Sequence, residues 1–385
     1  MRFLDIPVEV MRLCMDYLLD CGLPYTCKKI FEHLKHLRVH YCGRHQNMHR
    51  LTNSTTHATA CIHNTNNIRS FLMSLEQLTV SSVELRSCIS LLSLPPLCIT
   101  IESVKRLAII CNGKSLCYAL LSALLKSFQQ VVSLTLVIPN TLPWETIDQP
   151  EKKLTMATIQ LPPYVQNLTL DVSNNPLGRC GCATVMHNIC NEAAGLQSLT
   201  IQMRAIAHLS SYETLNMELL CTSVLTMSHL HTLRIDLSFN GLRNSEMEAL
   251  LPLTRLRIRV LHLGVAAASV HTSTSIEIIE CISSMVELME FRLDISYCLY
   301  DAWGQALCCL SRSTANVSLV MRSMYFIHPN GPKEWLDVLT ILTHRGSNLS
   351  IDFRYPRPNF SESVTKQLAI LLSPMVDHSN PDIVT

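Results

Sequence analysis

Two clusters of cysteine and histidine are the first places where this chain could do chemistry. Cys180-Gly-Cys182, His187 and Cys190 set four zinc-competent donors within eleven residues, and His40, Cys42, His45 and His49 set four within ten. Neither cluster contains two Cys-x-x-Cys pairs, so the plainer reading is of core thiols and solvated histidines, with no metal or cofactor. Catalytic patterns are missing too. There is no Gly-rich phosphate loop, no Gly-x-Ser-x-Gly elbow and no His-Glu-x-x-His, and the chain has only 11 glycines, so no enzymatic activity is expected.

A better organised set of polar groups emerges from a repeated stretch. Leu230-His-Thr-Leu-Arg-Ile-Asp-Leu-Ser-Phe-Asn-Gly-Leu242 alternates buried-type residues at Leu233, Ile235 and Leu237, the period of a half-buried strand. Near-copies run from Val165 to Leu177 and from Leu288 to Leu299. With the fourth residue of each stretch as an anchor, anchors fall at 37, 78, 107, 134, 168, 199, 233, 261, 291, 317 and 349. After a first gap of 41 the spacings lie between 26 and 34, which indicates one repeating domain rather than two or three independent ones.

Side chains one and three places past each anchor face away from the buried set. The first column reads Thr169, Thr200, Arg234, His262, Arg292, Ser318 and Ser350; the second reads Asp171, Gln202, Asp236, Gly264, Asp294, Val320 and Asp352. Aspartate at four of seven stacked places, with Arg234 and Arg292 beside it, makes a polar stripe suited to a basic or mixed-charge protein surface. The partner-binding candidates are therefore Thr169, Asp171, Arg234, Asp236, His262, Arg292, Asp294 and Asp352. The competing reading is that Arg234–Asp236 and Arg292–Asp294 simply satisfy one another on a wet surface.

Helices must return the chain between strands. Capping-box spacings at Ser210 with Glu213, Ser245 with Glu248 and Thr274 with Glu277 mark expected helix starts, and Pro332 suits a first turn. Apolar residues make up 48% of the chain and charged residues 16%, as expected where strand and helix of every repeat each bury a face. The stretch 40–70 is rich in His, Asn and Thr and is expected as a polar insertion, and 373–385 as a flexible tail.

These stretches resemble leucine-rich repeats of the ribonuclease-inhibitor type over about residues 34–372. Asn175, Asn240 and Cys298 match the family's Asn-or-Cys ladder position, although they stand two places later than in the usual pattern. The resemblance implies an α/β solenoid with a curved parallel sheet on its concave side and helices on its convex side. It also implies a scaffold or adaptor that holds a protein partner on the concave face.

Residues 1–33 read as a helical cap over the first repeat. The run Ile6-Pro-Val-Glu-Val-Met-Arg-Leu-Cys-Met-Asp-Tyr-Leu18 also resembles the opening of an F-box, with Ile6, Pro7, Glu9, Val10, Tyr17 and Leu18 at matching places. That resemblance implies docking to the Skp1 adaptor of a cullin ubiquitin ligase, with the repeats receiving substrate. Lys28, Lys29, Lys35, Arg38, Arg44 and Arg50 make the early segment locally basic, which leaves RNA contact as a third alternative, weaker than a solvated charge run. No apolar run is long enough to span a membrane, and no leader is evident at the N-terminus. The 17 scattered cysteines fit reduced thiols, so a cytoplasmic location, or a nuclear one, without disulfides is expected.

Overall fold

The computed structural model describes residues 39–42, 57–62, 65–77, 80–87, 99–111, 118–141, 160–177, 185–189, 191–193, 195–206, 215–324, 331–343 and 349–352. The chain divides into two compact units, Met1–Asn175 with Asn191–Leu196, and Pro176–Cys190 with Gln197–Thr385.

The first unit contains strands β1 (Val39–Cys42), β2 (His57–Ile62), β3 (Ser82–Ser87), β4 (Arg106–Cys111), β5 (Ser133–Val137) and β6 (Asn167–Asp171). They pair in chain order, and each pairing is parallel. Helices α1 (Thr65–Glu76) and α2 (Tyr118–Lys126) lie between them. The second unit contains β7 (Ser198–Gln202), β8 (Thr232–Asp236), β9 (Val260–Gly264), β10 (Glu290–Asp294), β11 (Asn316–Val320) and β12 (Leu349–Asp352). These also pair in chain order and in parallel. Its helices are α3 (Met217–Leu225), α4 (Asn244–Glu248), α5 (Thr272–Ser283), α6 (Tyr300–Cys309) and α7 (Gly331–Thr343). The protein is thus α/β with all described pairings parallel, and parallel neighbours need such crossover connections.

From β4 to β11 the anchor and the residue two places on are buried, as at Leu199 and Ile201, Leu233 and Ile235, and Phe291 and Leu293. Burying each such side chain stabilises the fold by about 1.5–3 kcal/mol. The helices complete the core. Trp303 of α6 is fully buried, and Gly304 beside it leaves room for the Tyr300 ring, since a Cβ there would lie 2.7 Å from the ring.

Parallel pairing does not stop where the strands end. The amide four places past an anchor donates to the next repeat, as in Met203 N–H to Asp236 O (2.8 Å), Leu237 to Gly264 (2.8 Å) and Val265 to Asp294 (2.9 Å). The residue six places past the anchor then turns left-handed in seven repeats, at Asn140, Asn174, Ala205, Phe239, Ala267, Tyr297 and Ser323, with φ between 48° and 64°. Even there, the Phe239, Ala267 and Tyr297 amides donate to Ala266, Ser296 and Arg322 of the following repeats.

One place further, Asn240 is buried and closes the turn. Its Oδ1 accepts from Ile206 N–H (2.8 Å), while Nδ2 donates to Met203 O (2.7 Å) and Leu237 O (2.8 Å). Asn175 does the same in the first unit, toward Thr141 N–H, Ile138 O and Val172 O. Cys298 offers a thiol instead, donating to Val265 O at 3.5 Å. Burial pushes that thiol's pKa up to about 12, so it stays protonated and able to donate. The stretch between strand and turn is filled by this longer pairing ladder, with a further buried apolar residue four past the anchor, such as Leu237 or Ile295.

Three expectations are corrected. The span 40–70 is not simply a polar insertion, because it holds most of β1, all of β2 and the start of α1. β2 escaped notice because its buried side begins with Ala58 rather than a large aliphatic residue. The expected strand Leu75–Val80 is displaced: Leu75 ends in α1, and the strand starts at Ser82. Val80-Ser-Ser-Val83-Glu-Leu85 has the same apolar spacing as Leu75-Glu-Gln-Leu78-Thr-Val80, and the later register pairs Val83 with Leu107. Likewise β1 begins at Val39, where the expected Leu34–Val39 strand ended.

Helix starts also shift. Thr274 lies inside α5 and bonds Glu248, and α4 begins one residue before Ser245, with Glu246 accepting the Arg243 amide. Ser210 and Glu213 lie outside the described residues.

Asn240→Ala should cost about 2–3 kcal/mol in urea unfolding, because it strands a buried amide and two carbonyls. Asn240→Cys should recover part of the loss, following Cys298.

Candidate functional site

Outward charge is spread unevenly over the strands, and in the first unit it includes an ion pair between Glu84 and Arg86 on β3. In β4 and β5 the outward positions are Ala108, Ile110, Thr135 and Val137, which offer little charge. In β7 to β10 they are Thr200, Gln202, Arg234, Asp236, His262, Gly264, Arg292 and Asp294, and with Arg204 these side chains line a recess of about 250 Å³. Five of the eight candidates meet there: Arg234, Asp236, His262, Arg292 and Asp294. Thr169 and Asp171 belong to β6 of the first unit, and Asp352 lies on β12 outside the recess lining.

The aspartates hold turns as well as facing solvent. Oδ1 of Asp171, Asp236 and Asp294 accepts the amide of the serine two places on, Ser173 (2.9 Å), Ser238 (3.1 Å) and Ser296 (3.0 Å). The Ser238 and Ser296 hydroxyls then accept the Ala266 and Arg322 amides of the next repeat. At three of the four aspartate places in this column, Asp171, Asp236 and Asp294, an Asp-x-Ser pair therefore holds the turn. Gly264 supports the arrangement, since a Cβ there would sit 2.7 Å from Asp236 Oδ1 and 3.3 Å from its Cα.

The arginines are not paired as the sequence suggested. Arg204, five places past its anchor, takes Asp236 Oδ2 at 2.5 Å, and Arg322, at the same place in its own repeat, takes Asp352 Oδ2 at 2.5 Å. Arg234 instead directs Nε to His262 Nδ1 (3.1 Å), and His262 Nε2 meets Glu290 Oε1 at 2.6 Å. An arginine only donates, so Nδ1 must be the acceptor and the ring proton sits on Nε2, facing Glu290. Burial lowers the His262 pKa from its ordinary 6.5, with Arg234 and Arg292 acting the same way against the opposing pull of Glu290. Arg292 makes no ion pair among the described residues.

Arg204, Arg322 and Glu290 were absent from the sequence-based site. Only two outward columns were read, while the two arginines stand past the strand and Glu290 stands one place before its anchor.

The chain matches no family model and no curated protein. The remaining candidates are placed as follows. Cys180, Cys182 and Cys190 lie outside the described residues, His187 is exposed, and among the described residues no group of three His, Cys, Asp or Glu could hold a metal ion. His40 and Cys42 fall on β1, while His45 and His49 lie outside the description. The same holds for Ile6, Pro7, Glu9, Val10, Tyr17 and Leu18, and for Lys28, Lys29 and Arg38. Among the described residues no helix is long and apolar enough to cross a membrane.

The network gives a two-sided titration test. The neutral His262 ring contributes its full stability above pH 6.5, and that contribution is lost as pH falls toward the lower folded midpoint. Followed by NMR of the ring, Arg234→Gln should raise the midpoint, and Glu290→Gln should lower it further. Shifts of the same sign in both variants would break the assignment. Separately, Gly264→Ala should cost about 1–3 kcal/mol by overpacking the Asp236 side chain, read as a fall in the chemical-denaturation midpoint.

Proposed function

We propose that this chain is a leucine-rich-repeat scaffold or adaptor, a binding protein rather than an enzyme, that holds a protein partner on the open strand face of its second unit. The recess between β7 and β10 carries the proposal: four successive strands bring Arg204, Arg234, Asp236, His262, Arg292 and Asp294 to one exposed surface. Mixed charge of this kind favours specificity and steering over an enclosed reaction pocket. The leucine-rich-repeat reading is supported by parallel pairing in chain order, strand-and-helix alternation and the Asn175, Asn240 and Cys298 turn bonds.

The test is affinity isolation on three versions of the full chain. A partner recovered by the wild type should also be recovered by Val286→Ser, whose residue is 93% exposed and lies outside the recess. It should be lost with Arg234→Glu combined with Arg292→Glu. Equal recovery by all three, with folding intact, would remove the open face from the account.

A further inference from the structure

Resting on that reading, we infer that the recess receives an acidic segment of the partner, whose carboxylate is taken between Arg234 and Arg292 and whose following apolar residue is taken by Phe239 and Tyr297. The recess lining carries three arginines against two aspartates, Asp236 and Asp294, and two of the arginines are left for an anion. Arg204 and Arg322 are each neutralised by an aspartate of the next repeat at 2.5 Å. Arg234 and Arg292 have no carboxylate within ion-pair distance among the described residues; Arg234 donates to His262, a ring that its environment keeps neutral. The two arginines occupy equivalent places on β8 and β10, with His262 between them on β9, so they stand roughly 10 Å apart at the backbone. Their planar forks suit a carboxylate, which accepts two parallel N–H bonds.

A second observation is independent of charge. Phe239 and Tyr297 are 40% and 43% exposed, and their ring centroids are 5.5 Å apart across the small Ala267. Both sit at the left-handed turn position, φ 64° and 61°, where glycine would be unstrained. A bulky residue there costs roughly 1–2 kcal/mol, and partly exposed rings recover only part of that by packing. The left-handed turn recurs in other repeats with Asn, Ala or Ser, so what marks this pair is a bulky, partly exposed aromatic at that place, which fits a contact made with something else. The pair lies three residues past Asp236 and Asp294, beyond the ends of β8 and β10 and outside the residues that line the recess. Each ring stands five residues past an arginine, so the span is at most about 16 Å, which an extended peptide covers in five residues or fewer.

The experiment selects a displayed random dodecapeptide library on the full chain and measures the enriched peptides by fluorescence anisotropy. Enriched peptides should carry Asp or Glu with an aliphatic or aromatic residue no more than five places away. Arg234→Gln and Arg292→Gln should each weaken them about tenfold. Phe239→Gly and Tyr297→Gly should weaken them while leaving the melting temperature unchanged or higher, because glycine relieves the turn; a purely structural pair would lower it.

Peptides enriched without an acidic residue, yet sensitive to Arg234 and Arg292, would overturn the acidic partner and keep the scaffold reading. No enrichment, or enrichment insensitive to every open-face substitution, would overturn both. Polyuridylate RNA displacing the peptides and itself depending on both arginines would assign them to phosphate and overturn the inference.

Discussion

The structure depends on backbone pairing that outlasts the strands. A strand of five residues is short, and if pairing ended at Asp236 or Asp294 each repeat would meet its neighbour through few bonds. Instead the ladder runs through a left-handed turn, at a cost of roughly 1–2 kcal/mol for each residue other than glycine. The amides at Phe239, Ala267 and Tyr297 meet the next repeat, and after Phe239 the buried Asn240 satisfies groups on both sides of the turn. Asn can do this because it presents an acceptor and two donors from one short side chain. Cys298 has only a donor and serves a single carbonyl.

That constraint decides which polar residues are left uncommitted to the fold. Aspartate three places past the anchor and serine five places past it look like a recognition stripe, yet they bond one another's backbone and the adjacent repeat. Arginine five places past the anchor is drawn onto the aspartate of the next strand. What is left is the column one place past the anchor, where Arg234, His262 and Arg292 stand side by side in register. In the function proposed above, a partner is met there, and His262, whose pKa burial lowers, spares the row three adjacent positive charges.

Strands from β4 onward were legible because large aliphatic residues recur at the anchor and two places on, a pattern that a parallel strand with one face buried imposes. β2 was not, since Ala58 satisfies the same geometry with little hydrophobic signal. β3 was misplaced because two overlapping apolar triplets fit one template, and only pairing with β4 selects Val83 over Leu78. The turn position of Asn175, Asn240 and Cys298 was readable as a recurring place in the sequence, but the bonds made there were not. Of the site, the arginines and His262 could be seen by spacing, but their partners could not. Arg234 and Asp236 lie two residues apart on one face, yet Asp236 is taken by Arg204 across 32 residues of sequence, a choice set by register.

Native-state hydrogen exchange tests the turn ladder most directly. If pairing continues through the left-handed position, the amides of Phe239, Ala267 and Tyr297 should exchange as slowly as those of Ile235, Leu263 and Leu293 in the strands, although two of these side chains are exposed. Exchange at these three amides at the rate of open loops, beside protected strand amides, would contradict the account.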